Sequence, residues 1–179
     1  MTPRTHALAV VLALGLVPTA VRAESAPGVE ADTVALEFYG FRAGASVAEL
    51  QALVRERPGG ALRCRQAQAD ARVSECRGTL DDPALGGRVD LWVSSVNGVA
   101  SVITISAQVE ADRLDRWRSA VERRYGRVDA SVQGIQWMMQ WVRRGRMLRL
   151  TWRTERGGRM ASVSLVDGRV LDDWGRARS

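Results

Sequence analysis

The chain has 179 residues with 26 basic and 20 acidic side chains, a net charge of +6, two cysteines and a single histidine, His6; every basic residue is arginine. Past residue 23 there is neither histidine nor lysine. That absence excludes an imidazole general base, serine or cysteine relays built on histidine, histidine-bound metals, Schiff-base chemistry and a phosphate-loop lysine.

Arg4 and His6 precede an apolar run over residues 7–17, then Pro18 and the small-residue site Val21-Arg22-Ala23. This is the order of a secretory signal, so residues 1–23 are predicted to be a signal peptide. The run is shorter than the ~20 apolar residues of a membrane span. No later stretch is longer, so the mature chain is expected to have no transmembrane segment and to be periplasmic or secreted. Export would remove two arginines and no acid, leaving a mild basic excess scattered among acids. A nucleic-acid binder would concentrate it in a patch, so no nucleic-acid partner is expected. Roughly 155 mature residues suit one domain.

Residues 24–32 read as a flexible leader and residues 33–175 as a single domain with halves at about 33–109 and 110–175. Val34, Leu36 and Phe38 alternate like a strand, and Gly40 and Gly44 mark a turn. Ser46 and Glu49 have capping-box spacing, and Val47, Leu50, Leu53 and Val54 form a helical stripe that Pro58-Gly59-Gly60 ends. Cys64 and Cys76, the only pair available, are expected to form a disulfide in an oxidising compartment, closing a loop of about 13 residues worth about 3 kcal/mol. Their spacing is far wider than that of redox pairs, so the bridge is read as structural.

Extended stretches follow at about 73–80, 88–96 and 99–109, the last two joined by Asn97-Gly98, whose tolerance of positive φ suits a type I′ hairpin. A helix is predicted over about 111–125, with Leu114, Trp117, Val121 and Tyr125 on one face, acids in the first turn and Gly126 as its stop. Strands at about 135–143, 147–154 and 159–166 come next, and residues 169–174 form one helical turn with Trp174 docking on the body. The predicted fold is α+β: two halves, each a helix plus a three-stranded antiparallel meander, with the helices packed on one sheet face.

The Gly44-x-Ser46 helix start, a short helix, a disulfide and an antiparallel meander, given twice, resemble the duplicated helix-plus-sheet modules of secreted β-lactamase inhibitor proteins and of small outer-membrane-assembly lipoproteins. Those families bind proteins, so the resemblance implies a non-catalytic role. The chain departs from the lipoproteins in lacking a cysteine near Ala23 for lipidation, and no functional residue is carried over.

Alternation assigns Val89, Leu91 and Val93, Ile103 and Ile105, Ile135, Trp137, Met139 and Trp141, Leu148, Leu150 and Trp152, and Val163 and Leu165 to the core face. The opposite face carries Trp92, Thr104, Gln136, Met138, Gln140, Val142, Arg149, Thr151, Arg153, Ser162 and Ser164. Indole, thioether and guanidinium groups are the types enriched where a surface loses water against a partner. Trp92, Met138, Arg149 and Arg153 are therefore the candidate binding residues. The arginines supply two-donor contacts to an acidic protein segment or an anionic envelope polymer, and Trp92 or Met138 the apolar anchor, with another envelope or extracellular protein as the expected partner. No cofactor, metal or catalytic residue is expected. The alternative is a carboxylate-dependent hydrolase of a cell-wall or glycan polymer, drawing on Asp81-Asp82, Asp167 or Asp172-Asp173.

Overall fold

The computed structural model describes residues 35–177; the predicted signal peptide, the leader and Val34 lie outside them. A two-stranded ribbon, β1 (Glu37–Phe38) and β2 (Phe41–Arg42), leads into helix α1 (Val47–Arg55). The predicted capping box is present: Glu49 N–H donates to the Ser46 hydroxyl at 3.1 Å and Ser46 N–H to the Glu49 carboxylate at 2.7 Å. The first meander is β3 (Ala61–Gln66), β4 (Val73–Asp82), β5 (Gly87–Val96) and β6 (Val99–Val109), with a short 3-10 turn at Pro83–Leu85 between β4 and β5. Helix α2 (Ala111–Tyr125) opens the second half, followed by β7 (Ser131–Gln133), β8 (Gln136–Arg143), β9 (Arg146–Glu155), β10 (Gly158–Asp167) and helix α3 (Gly168–Arg176).

This architecture corrects the predicted α+β molecule of helix-plus-three-strand halves. The protein is predominantly β, and its two meanders have four strands each, merged into one antiparallel sheet ordered β3-β4-β5-β6-β10-β9-β8-β7. The last strands of the halves, β6 and β10, pair at the centre, with Ser106 opposite Ser162 and Ile105 opposite Val163. The two unforeseen strands of this sheet, β3 and β7, are its edges. In β3 only Leu62 is half-buried and arginine alternates with other residues, so no strong apolar period announces a strand; pairing with β4, Cys64 directly opposite Cys76, makes it one. β7 has three residues, too few for a period.

The core lies between the sheet and the layer formed by the ribbon, α1 and α2. Leu91, Val93, Ile103, Ile105, Leu150 and Val163 are essentially inaccessible on the face read as core. Trp117 of α2 is fully buried, donates its indole N–H to the Leu85 carbonyl at 3.0 Å and meets the Phe38 ring edge-on at 5.4 Å. Arg113, one turn earlier, donates to the carbonyls of Leu85 and Arg88, so α2 is clamped onto the short turn. The Tyr125 hydroxyl accepts from Glu37 N–H at 2.7 Å and donates to its carbonyl at 2.9 Å, fastening the ribbon to the end of α2.

Two residues expected in the core are outside it. Ile135 is 82% exposed in the β7–β8 turn, and Trp137 is 46% exposed on β8. Trp137 points to the helix-covered side, but Arg118 of α2 lies over Trp152, one strand further in, and Trp137 is left stacked on Trp152 near the rim. The expectation that all helices share one face is also corrected. By strand alternation Val96 lies on the side of Trp92, and Val170 and Trp174 of α3 line a cavity with Val96 and Val99, so α3 covers one end of the opposite face. Trp174 docks as predicted, its indole N–H donating to Asp70 Oδ2 at 2.9 Å.

Candidate functional site

Away from α3 the second face of the sheet is open, and pairing aligns its residues into rows across the strands. One row runs Arg63, Arg77, Trp92, Thr104, Ser164, Arg149 and Gln140. The next includes Thr79, Asp90, Ser106, Ser162, Thr151 and Met138. The residues on the two central strands are short: Thr104 and Ser164 hydroxyls meet at 3.1 Å, and Thr151 on β9 meets Ser162 at 2.8 Å. Longer side chains stand on the outer strands. Trp92 on β5 and Arg149 on β9 are three strands apart, about 14 Å at the usual strand spacing. The face is therefore a low hydroxyl-lined strip between an indole and a guanidinium.

All four residues selected for binding lie on this open face, but their surroundings differ. Trp92 is half-buried in a shallow groove of about 630 Å3, also lined by Arg63, Arg77, Thr79, Asp90 and Ser106. Arg149 donates through Nε (3.0 Å) and Nη2 (2.8 Å) to the neutral Gln140 Oε1, which orients the guanidinium without cancelling its charge. Met138 is half-buried opposite Thr151. Arg153, at the far end of β9, is engaged by Glu155 at 2.6 Å, so its charge is compensated.

Sequence reasoning passed over Arg63 and Arg77. They face each other across β3 and β4, Trp92 is the next residue in the row, and both are exposed. Among the described residues neither has an ion-pair partner. Like charges directly opposed on a sheet are unfavourable, so this pair is a local electrostatic debt that an anion would relieve. The clue was legible: once Cys64 is opposite Cys76 in an antiparallel pair, Arg63 must be opposite Arg77.

The carboxylates of the hydrolase alternative are dispersed. Asp81 and Asp82 end β4, where Asp82 pairs with Arg57 at 2.8 Å and caps the short turn through Ala84 N–H. Asp167 ends β10, seven residues along the strand direction from that corner by the pairing register, about 24 Å. It is 1% exposed and accepts from Arg146 Nε at 2.8 Å and from Arg169 through both guanidinium and backbone. Burial works against its ionisation, but the Arg169 and Arg146 hydrogen bonds outweigh it and hold the carboxyl below its ordinary value. Gly44, at φ +84°, passes so close that a Cβ there would lie 2.6 Å from Asp167 Oδ2. Asp172 and Asp173 are exposed on α3, Asp173 paired with Arg176.

Among the described residues no three His, Cys, Asp or Glu side chains converge as a metal site, and no helix is long and apolar enough to cross a membrane. The Cys64–Cys76 disulfide is formed. No family model, no curated protein and no solved structure matches the chain.

Proposed function

We propose that this is an exported, non-catalytic binding protein that holds an acidic segment of another envelope or extracellular protein on the open sheet face. The observation that carries the reading is the uncompensated Arg63–Arg77 pair beside Trp92 in the groove, continued across the hydroxyl strip to Arg149. Guanidinium groups bind carboxylates with two parallel donors, and an adjacent indole supplies apolar area at low conformational cost. The hydroxyls of Thr104, Ser106, Ser162 and Ser164 can meet the backbone of a docked segment. The disulfide supports an oxidising compartment, since such bridges persist mainly there.

Photocrosslinking in the native envelope tests this. A crosslinking side chain at Thr104, in the open face, should give a discrete protein adduct, and one at Arg116, on the solvent side of α2, should give none. Adding Arg63→Ala and Arg77→Ala should remove most of the Thr104 adduct. Equal yields from both positions, or a Thr104 adduct indifferent to the arginines, would sink the reading.

A further inference from the structure

We propose that the β7–β8 edge is a self-association surface, on which a second copy of the chain pairs antiparallel through β7 and continues the sheet. Past residue 23, two stretches of the sequence lack any charged residue over a dozen positions or more: 91–109 and 130–142. In a chain that is 26% charged, each such gap calls for a cause. The first needs no further explanation, because it forms β5 and β6 at the centre of the sheet. The second forms β7, its turn and β8, at the rim. Met139 and Trp141 of this stretch are buried in the core, but three of its apolar residues are not hidden: Val132 is 57%, Ile135 82% and Trp137 46% exposed, three of the four exposed large hydrophobic side chains among the described residues. Depletion of charge with enrichment of tryptophan and methionine marks the centre of a protein–protein contact.

The exposed residues are ordered. Val132 is opposite Trp137 and Trp137 opposite Trp152, one apolar row on the helix-covered side, with the indoles stacked at 6.2 Å. Among the described residues the outer side of β7 has no neighbouring strand, and an edge strand presents unpaired N–H and C=O groups that template pairing. Proteins blunt such edges with charge or proline. The other edge follows that rule: β3 carries Arg63 and Arg65 and is bridged to β4. β7, Ser-Val-Gln, has no such guard.

Charge and symmetry choose the occupant. Antiparallel pairing of β7 with itself about Val132 sets Val132 against Val132 of the second copy and Ser131 against Gln133, so no like charges oppose and the hydroxyl can meet the amide. The apolar row becomes continuous, Trp152, Trp137 and Val132 from one copy meeting the same residues in reverse from the other. The same operation on β3 about either of its central residues would crowd arginines from two copies. A twofold contact of this kind is self-complementary, as the commonest oligomers are. The open face with Arg77, Trp92 and Arg149 stays uncovered, so the contact is independent of the binding proposed above.

Sedimentation equilibrium of the purified protein over a concentration series tests it. The average mass should rise from that of one chain towards that of two and stop there. Val132→Lys, which puts two ammonium groups face to face on the symmetry axis, should weaken dimerisation at least tenfold. Val132 is exposed, so the fold should be retained, as circular dichroism would check; Ile135→Ser gives a milder second reading, and Arg63→Glu at the other edge should leave the mass curve unchanged. A single-chain mass at every concentration, dimers indifferent to Val132→Lys, or a mass climbing past two chains would each overturn the proposal; the first would leave the edge to a strand from a different protein.

Discussion

The two halves of this molecule repeat a backbone and differ in nearly everything attached to it. Each is a helix followed by a four-strand meander, and each gives its last strand to the centre of the sheet. The first half secures its outer strand with a covalent bridge and leaves two guanidiniums facing a tryptophan. In the second half the inner strand ends in a buried carboxylate held by two arginines, and the outer strands carry stacked indoles beside exposed aliphatics. The shared part is what an antiparallel sheet with one covered side requires. The distinct parts are unevenly placed charge and apolar area, and these are where recognition is to be sought.

The sharpest contrast is between a charge buried with its partners and a staple at the surface. Asp167→Ala should be the largest single loss, about 3–5 kcal/mol, because it leaves the Arg146 guanidinium beside a closed, anion-free site. Urea unfolding measures it, and a loss below about 1 kcal/mol would show that the hub contributes little. The pH dependence has a definite sign. The Asp167 carboxyl is held below its ordinary value, so its contribution is complete above about pH 4 and disappears as the pH falls through the folded-state value. The stability gap between the wild type and Asp167→Asn should therefore narrow between pH 7 and pH 3. A constant gap would mean that the shape of the side chain matters and its charge does not.

Opening the bridge should cost somewhat less. Replacing Cys64 and Cys76 by alanine releases a loop of about 13 residues, worth about 3 kcal/mol. The effect should be local as well as global. Amide exchange along β3 should accelerate well before that of β6 or β10, since among the described residues β3 has only β4 as a neighbouring strand. Uniform acceleration across the sheet would instead place the staple's effect in the unfolded chain.

The interior strands, α1 and α2 were legible because each has a full apolar period and its own stop signal: Asn97-Gly98 for the β5–β6 hairpin, the Ser46–Glu49 box for α1, Gly126 after α2. The edges were not, because a strand that buries little has no period to read; β3 looked like the inside of a disulfide loop and β7 like the approach to β8. That omission turned two four-strand meanders into three-strand ones and the class into α+β. The site was half legible for the same reason. Trp92, Met138 and Arg149 follow from alternation within interior strands, whereas Arg63 and Arg77 need the register between an unrecognised edge and its neighbour. Ile135 and Trp137 failed differently: alternation gives the side of the sheet but not how far the covering helix extends along it.

The extent of that cover supplies the smallest effect. Arg118 lies with its guanidinium carbon 5.6 Å from the centre of the Trp152 ring, and the same indole is stacked against Trp137. Removing the cation by Arg118→Ala should cost about 0.5–1 kcal/mol, the range for a partly solvated cation–π contact, together with a little packing from the arginine stem. Arg118→Lys keeps the charge but loses the planar stacking and should fall between the two. The indoles would then be less protected from water, so tryptophan emission should shift to longer wavelength in Arg118→Ala while the unfolding midpoint hardly moves. A larger loss, well above 1 kcal/mol, would mean that Arg118 closes the core at this corner, and that the second half, like the first, depends on an arginine at its boundary.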